Sequence, residues 1–289
     1  ATAPAAPPTV PPTAPPRAAA ARPATPAELR SILQRALKTL ARAEDAAHGK
    51  DPGEVSLLLL RTDEYLERFQ SGSGLEALAA ALQAAHAAAD GSDLTAAGAA
   101  VRRARDLMTP VSEYTVLRQG VEAGHAAQRA AGALDRAEFL AALDRLEKAT
   151  LAPVLLTRLK EARDGTSRAR LAMVKRDMEG GRAQVAAARA ACEGLEYAGA
   201  LSRASFALSV GSELLASKSV IAGRDQIQKA TRELRRAAEV APAPQRALLD
   251  QARAEAADVW KQSARASTVE APKLAEIARR VETIRLEQR

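Results

Sequence analysis

Three histidines, one cysteine and a run of arginines are the residues of this 289-residue sequence whose types could do chemistry. His48, His86 and His125 stand 38 and 39 residues apart. In stacked helical units of that period, three imidazoles could face one metal ion. A helical zinc site needs a second ligand one turn away, as in His-x-x-x-His, or a Cys-x-x-Cys pair. Neither pattern occurs, and the three neighbourhoods are rich in Ala. They read as scattered, solvent-facing imidazoles, and no metal is expected. Cys192 follows Ala190 and Ala191 and precedes Glu193. A nucleophilic thiol needs a nearby base and an oxyanion hole. All three histidines are remote in sequence, so Cys192 reads as a small buried thiol. Asp63-Glu64, Glu193 and Glu196 lie among helix-face charges. Pairs such as Glu64–Arg68 and Glu233–Arg236 stabilise exposed helices by only a few tenths of a kcal/mol. Gly180-Gly181 has neither the strand nor the pattern of a phosphate loop. The expectation is a non-enzymatic chain with no catalytic residue and no cofactor.

The basic stretch is the strongest candidate for binding. Residues 158–189 hold Arg158, Lys160, Arg163, Arg168, Arg170, Lys175, Arg176, Arg182 and Arg189 against four acids. A net charge of +5 in one hairpin could hold a phosphate, an acidic partner or an anionic membrane surface. Arg158, Lys160, Arg163, Arg168, Arg170, Lys175 and Arg176 are therefore the candidate anion- or partner-binding residues. These cations fall on several helix faces, and no aromatic residues interleave with them for base stacking. Nucleic acid is thus not an expected partner.

These groups must be positioned by helices. Hydrophobic residues make up 47% of the chain, but mostly as Ala, and aromatics only 2%. Such a core suits close helix packing and not a sandwich or barrel, which needs β-branched and aromatic strands. The formal charge is +7, a mild field. No apolar run approaches the length of a membrane span. One cysteine forms no disulfide within the chain and fits any compartment.

Nine of the fifteen prolines fall in residues 4–26. Mixed with Ala and Thr, this segment cannot bury enough surface to offset its ordering entropy. Residues 1–25 are expected to be a disordered Pro/Ala-rich linker. The opening at Ala1 reads as a mature exported chain after signal-peptide removal. Thr25-Pro26-Ala27-Glu28 is a capping box with Pro at the first helical position. Ser73-Gly74-Leu75-Glu76 reads as a second box and Asp135-Arg136-Ala137-Glu138 as a variant.

Beyond residue 25 the periodicity is helical. Leu29, Ile32, Leu33, Ala36, Leu37 and Leu40 make one stripe; Leu155, Leu159, Ala162, Thr166, Ala169 and Met173 make another. Leu249, Ala252, Ala256, Val259 and Ser263 form a third, and Leu274, Ile277, Val281 and Ile284 a narrow seam. Pro52, Pro110, Pro153, Pro242, Pro244 and Pro272 punctuate the stripe ends. Gly49, Gly91, Gly132, Gly180 and Gly223 recur at intervals of 42, 41, 48 and 43. The spacing predicts five tandem helical hairpins, as a bundle or a short α-solenoid, followed by helices at 244–266 and 272–288. The expected organisation is a linker at 1–25, an all-α hairpin domain at 26–240 and capping helices at 241–289. The C-terminal seam is expected either to dock on the 244–266 helix through Val259 and Trp260 or to pair with a second copy in a coiled-coil-like dimer.

Residues 29–66 pass through Ala46-Ala47-His48-Gly49-Lys50-Asp51-Pro52-Gly53-Glu54, and residues 133–195 run from Ala133-Leu134-Asp135 to Leu195. This order resembles the YfdX family of small bacterial helical proteins, although Lys50 stands inside the turn motif and the chain extends past the family's usual end. The resemblance implies a periplasmic, non-enzymatic protein with a stress-related or chaperone-like role. The residues alone suggest an exported scaffold that binds another protein. The alternative is an envelope-associated anion or lipid binder using the 158–189 hairpin at a membrane surface. The oligomeric state is left open.

Overall fold

A computed structural model describes residues 24–108 and 117–287. The expected linker up to residue 23 and the boundary at Pro110 lie outside the described residues. Within them the chain is all-α, with no strand. The helices are α1 (Pro26–His48), α2 (Pro52–Ser73), α3 (Leu75–Asp90), α4 (Leu94–Met108), α5 (Leu117–Gly132), α6 (Arg136–Thr150), α7 (Ala152–Val174), α8 (Met178–Ala216), α9 (Val220–Val240) and α10 (Ala243–Leu286).

Local chemistry sets most of these limits. Thr25 accepts from the Glu28 amide while the Glu28 carboxylate takes the Thr25 N–H at 2.6 Å, completing the capping box. Asp51, Asp93, Asp135 and Asp177 each accept an amide proton from the first turn of α2, α4, α6 and α8. The residue before each of them has a positive φ: Lys50, Ser92, Leu134 and Arg176, with Lys218 before Ser219 completing the series. Every interval in that series is 42 residues. The chain therefore makes the same turn five times, in the period range of two-helix repeats. The left-handed residue reverses the chain, and in the first four turns the Asp that follows caps the next helix, whereas Ser219 in the fifth makes no side-chain cap.

Two expectations about these repeats change. The first concerns the count of separate hairpins. All five turns exist, but the fourth and fifth hairpins share α8, one unbroken helix of 39 residues. The second concerns Ser73-Gly74-Leu75-Glu76, which is not a capping box. Gly74 itself is the junction between α2 and α3, at φ 70°, and offers no side-chain cap. The Ser73 hydroxyl accepts from the Leu75 amide instead.

Hairpins 2 and 3 pack on each other chiefly through α4 and α5, with a lesser α3–α6 contact, while hairpin 1 packs mainly on hairpin 4, α2 on α7 and α1 on α8. The result is a bundle and not an open stack. At one crossing, a Cβ on Gly165 of α7 would come within 3.2 Å of the Ala188 backbone of α8. One core runs from Leu29 to Ala198, and a second from Tyr197 to Ile284. α8 belongs to both, so it ties the halves together. The predicted stripes are the buried faces: Leu155, Leu159, Ala162, Thr166, Ala169 and Met173 are all buried.

α10 is a folded-back pair. Its one non-helical residue is Ala266, at φ −140° and ψ 51°. Arg280 pairs with Glu255, 25 residues away. A straight helix would separate them by about 37 Å, so the chain reverses at Ala266. This is where the first terminal helix was expected to end. Pro272, expected at a helix boundary, lies inside the second half. That half packs on α8, where Leu274 meets Gly211 and Ser212 donates to the Ala271 carbonyl at 2.8 Å. Val259 and Ile277 do line one cleft between the halves, while Trp260 turns to α9. Arg285, fully buried, donates to Ser202 of α8 at 2.7 Å and to the Ala149 carbonyl of α6 at 3.2 Å. Burial pushes its guanidinium down to about 9, so it still carries its charge at neutral pH.

Candidate functional site

The structure separates the three histidines. The His48 ring meets the Glu44 carbonyl at 2.8 Å, His86 meets Glu147 at 3.0 Å, and His125 lies 2.9 Å from Arg105. No group of three metal-ligating side chains converges among the described residues.

Cys192 lies in the middle of α8 and is fully buried. Burial, aided by the charge of Glu193, pushes its thiol up to about 12. The reactive form is the thiolate, so the folded chain should resist iodoacetamide at mildly alkaline pH. Mass spectrometry should find carboxamidomethylation at Cys192 only after unfolding in urea. Modification of the native chain at the rate of a free thiol would contradict this burial.

The 158–189 cations do not converge. Arg163 donates to Asp63 at 3.3 Å and to Gln70 at 2.7 Å, tying α7 to α2. Arg189 bridges Glu44 and Glu193, and Arg182 donates to the Ala47 carbonyl. Arg158 lies over Gly194, where a Cβ would collide with its guanidinium. Lys160 and Arg163 share one recess with Asp63, Glu76 and Asp164, which outnumber them. Lys160, Arg168, Arg170, Lys175 and Arg176 are exposed. Near the α7–α8 turn, Arg168, Arg170, Lys175 and Arg176 flank two exposed apolar side chains, Leu171 at 55% and Val174 at 78%.

Cations do converge on α9, between α1 and α8. A cleft of about 600 Å³ there is lined by Arg30 from α1, Arg203 from α8 and Lys229, Arg232 and Arg236 from α9. Among the described residues, Glu233 is the one carboxylate on its wall. Phe206, 52% exposed, stands at the same cleft. Lys229, Arg232 and Arg236 follow i, i+3, i+7 spacing, which puts them on one helix face. That spacing is legible in the sequence, but the stretch density of 158–189 outweighs it. The contributions of Arg30 and Arg203 are not legible, since the fold brings them from other helices.

Glu233 organises the floor. It accepts from Arg203 at 2.8 Å and from Arg236 at 3.0 Å, and lies 3.8 Å from Arg30. Arg203 also donates to Glu196 at 3.1 Å. Arg203, Glu196 and Glu233 are almost completely buried. Burial raises the Glu196 carboxyl above its usual range, against the opposing pull of Arg203. Two carboxylates thus fix the deep arginine, while Lys229 and Arg232 remain exposed at the mouth. Chemically this is a set of N–H donors and positive charge arranged for carboxylate or phosphate oxygens.

Comparison with known protein families, curated proteins and solved structures finds no match to this chain. No described helix is long and apolar enough to cross a membrane. The fold and cleft define a helical-repeat bundle with a cation-lined groove.

Proposed function

We propose that this chain is a non-enzymatic scaffold that binds another protein, taking an acidic segment of that partner into the α1–α8–α9 cleft. The observation that carries the reading is five cations against one wall carboxylate among the described residues of a single open cleft, with Lys229 and Arg232 exposed at its mouth. Exposed Phe206 supplies an apolar contact beside the charge. Aromatic and Arg anchors together are what strong protein interfaces use. The chain's own first 24 residues hold Arg17 and Arg22 and no acid, so their charge does not complement the cleft. An exported, periplasmic setting and a stress-related or chaperone-like role belong to the same proposal. They rest on the YfdX-like residues, which form α1, α2, α6, α7 and the first half of α8.

A fluorescein-labelled Glu-rich peptide tests the proposal. Its binding should weaken steeply with salt, because exposed charges are screened within about 8 Å at physiological ionic strength. Binding that is unchanged from low to high salt would exclude the cleft as an electrostatic receptor.

A second reading has its own observation. Leu171 and Val174, exposed among Arg168, Arg170, Lys175 and Arg176, form an apolar tip ringed by cations, the composition of an interfacial membrane contact. In this reading the chain sediments with vesicles containing anionic lipid and not with neutral ones.

A further inference from the structure

The groove on the other side of α9, against the first half of α10, has a different character. It encloses about 500 Å³ and its floor is apolar, made by Ile227, Ala254, Ala257 and Trp260. Around the floor stand Arg232, Arg235, Arg253 and Lys261, and no carboxylate lines the groove among the described residues. Arg235, Arg253 and Lys261 pair with Glu239, Asp250 and Asp258, each along its own helix surface. Such exposed pairs hold weakly, so these cations can turn to an anion in the groove. Trp260 has Arg224 stacked on its ring at 3.9 Å from the centroid. Its buried indole N–H has no acceptor among the described residues.

We infer that this groove binds a monomeric amphipathic anion, an apolar body carrying one carboxylate or phosphate head. The apolar floor gives a small inorganic anion little to bind. The cation ring disfavours a cationic ligand and gives a neutral apolar one no charge to meet, whereas an anionic head can compete with the weak pairs along each helix. The volume is that of a small-molecule site. The inference is independent of the cleft on the other side of α9, apart from the shared Arg232, which the test leaves untouched.

Trp260 is the single tryptophan of the chain, so its fluorescence reports the groove directly. Dodecanoate, kept below its micellar concentration, should change that emission saturably in the full-length protein. Dodecanol, with the same body and no charge, should bind at least about tenfold more weakly. The Arg235→Ala/Arg253→Ala pair, on the helix surface, should weaken dodecanoate by a similar factor. Ala257→Phe, which fills the half-buried groove wall, should abolish the change. The inference is overturned if dodecanol binds as tightly as dodecanoate, if the double variant binds normally, or if no saturable change occurs. It is also overturned if phosphatidylglycerol vesicles shift the emission and monomeric dodecanoate does not, which would make the groove a membrane contact.

Discussion

Replacing Arg203 with Met should destabilise the chain by about 3–5 kcal/mol, the usual cost of removing one partner from a buried charge network. The substitution keeps most of the volume and leaves Glu196 and Glu233 facing one another in the interior. At this chain length the loss lowers the melting midpoint by roughly 10 °C. It should also depend on pH in a defined direction. Burial already holds the folded Glu196 carboxyl above its ordinary value of 4.5, and Arg203 is the main force pulling it down. A carboxyl whose folded pKa is raised favours folding below the unfolded value, and that contribution is lost as pH rises through the folded one. Without Arg203 the folded value rises further. The deficit of the variant should therefore be largest at about pH 7 and shrink toward pH 5, as Glu196 takes up a proton. Urea unfolding followed by far-UV circular dichroism at the two pH values measures this. An equal deficit at both would show that Arg203 acts through packing alone.

The second large effect is at the C-terminal seam. Leu274, Ile277, Val281 and Ile284 are at most 6% exposed and belong to the second core. Each buried side chain of this kind contributes roughly 1.5–3 kcal/mol. Val281→Asp removes one such contribution and buries a carboxylate with no designed partner, so the expected loss is about 4 kcal/mol or more. The damage should spread, because Arg285, one turn on, anchors the same helix to Ser202 and Ala149. Hydrogen exchange should show α8 beyond Tyr197, α9 and α10 losing protection together, with α3–α6 least affected. A variant that melts like the native chain would mean that the seam is not a structural contact.

Much of this architecture can be read from the sequence, for physical reasons. Helical stripes are local, so Leu29 to Leu40 and Leu155 to Met173 reveal their buried faces without any tertiary information. Capping is also local, and Thr25 and Asp135 behave as their side chains dictate. The repeat is harder to see, because its left-handed residue is Lys, Ser, Leu, Arg or Lys and never Gly. Gly180 and Gly223 sit inside first helical turns instead. At Gly223 a Cβ would crowd Leu215 and the Gly211 carbonyl, so that glycine serves the α8–α9 crossing. This is why glycine spacing drifts while the turn period stays at 42. The fusion of two hairpins through α8 carries no break signal to read. The pairing of hairpin 1 with hairpin 4 is a long-range choice, and so is the meeting of Arg30 with Glu233. For the same reason, residue density points to 158–189, whereas convergence in space favours α9.

Charge reversal at the mouth of the cleft addresses the central claim most directly. Lys229 and Arg232 are exposed on α9, so replacing both with Glu leaves the core and the Arg203 network in place. Binding of the labelled Glu-rich peptide to the Lys229→Glu/Arg232→Glu chain would be measured by fluorescence anisotropy at low salt. Native binding together with a loss of at least about tenfold in the variant is the predicted result, since like charges would now face the peptide. Equal affinity in the two chains, both folded by circular dichroism, would contradict the assignment of this cleft as the partner-binding site.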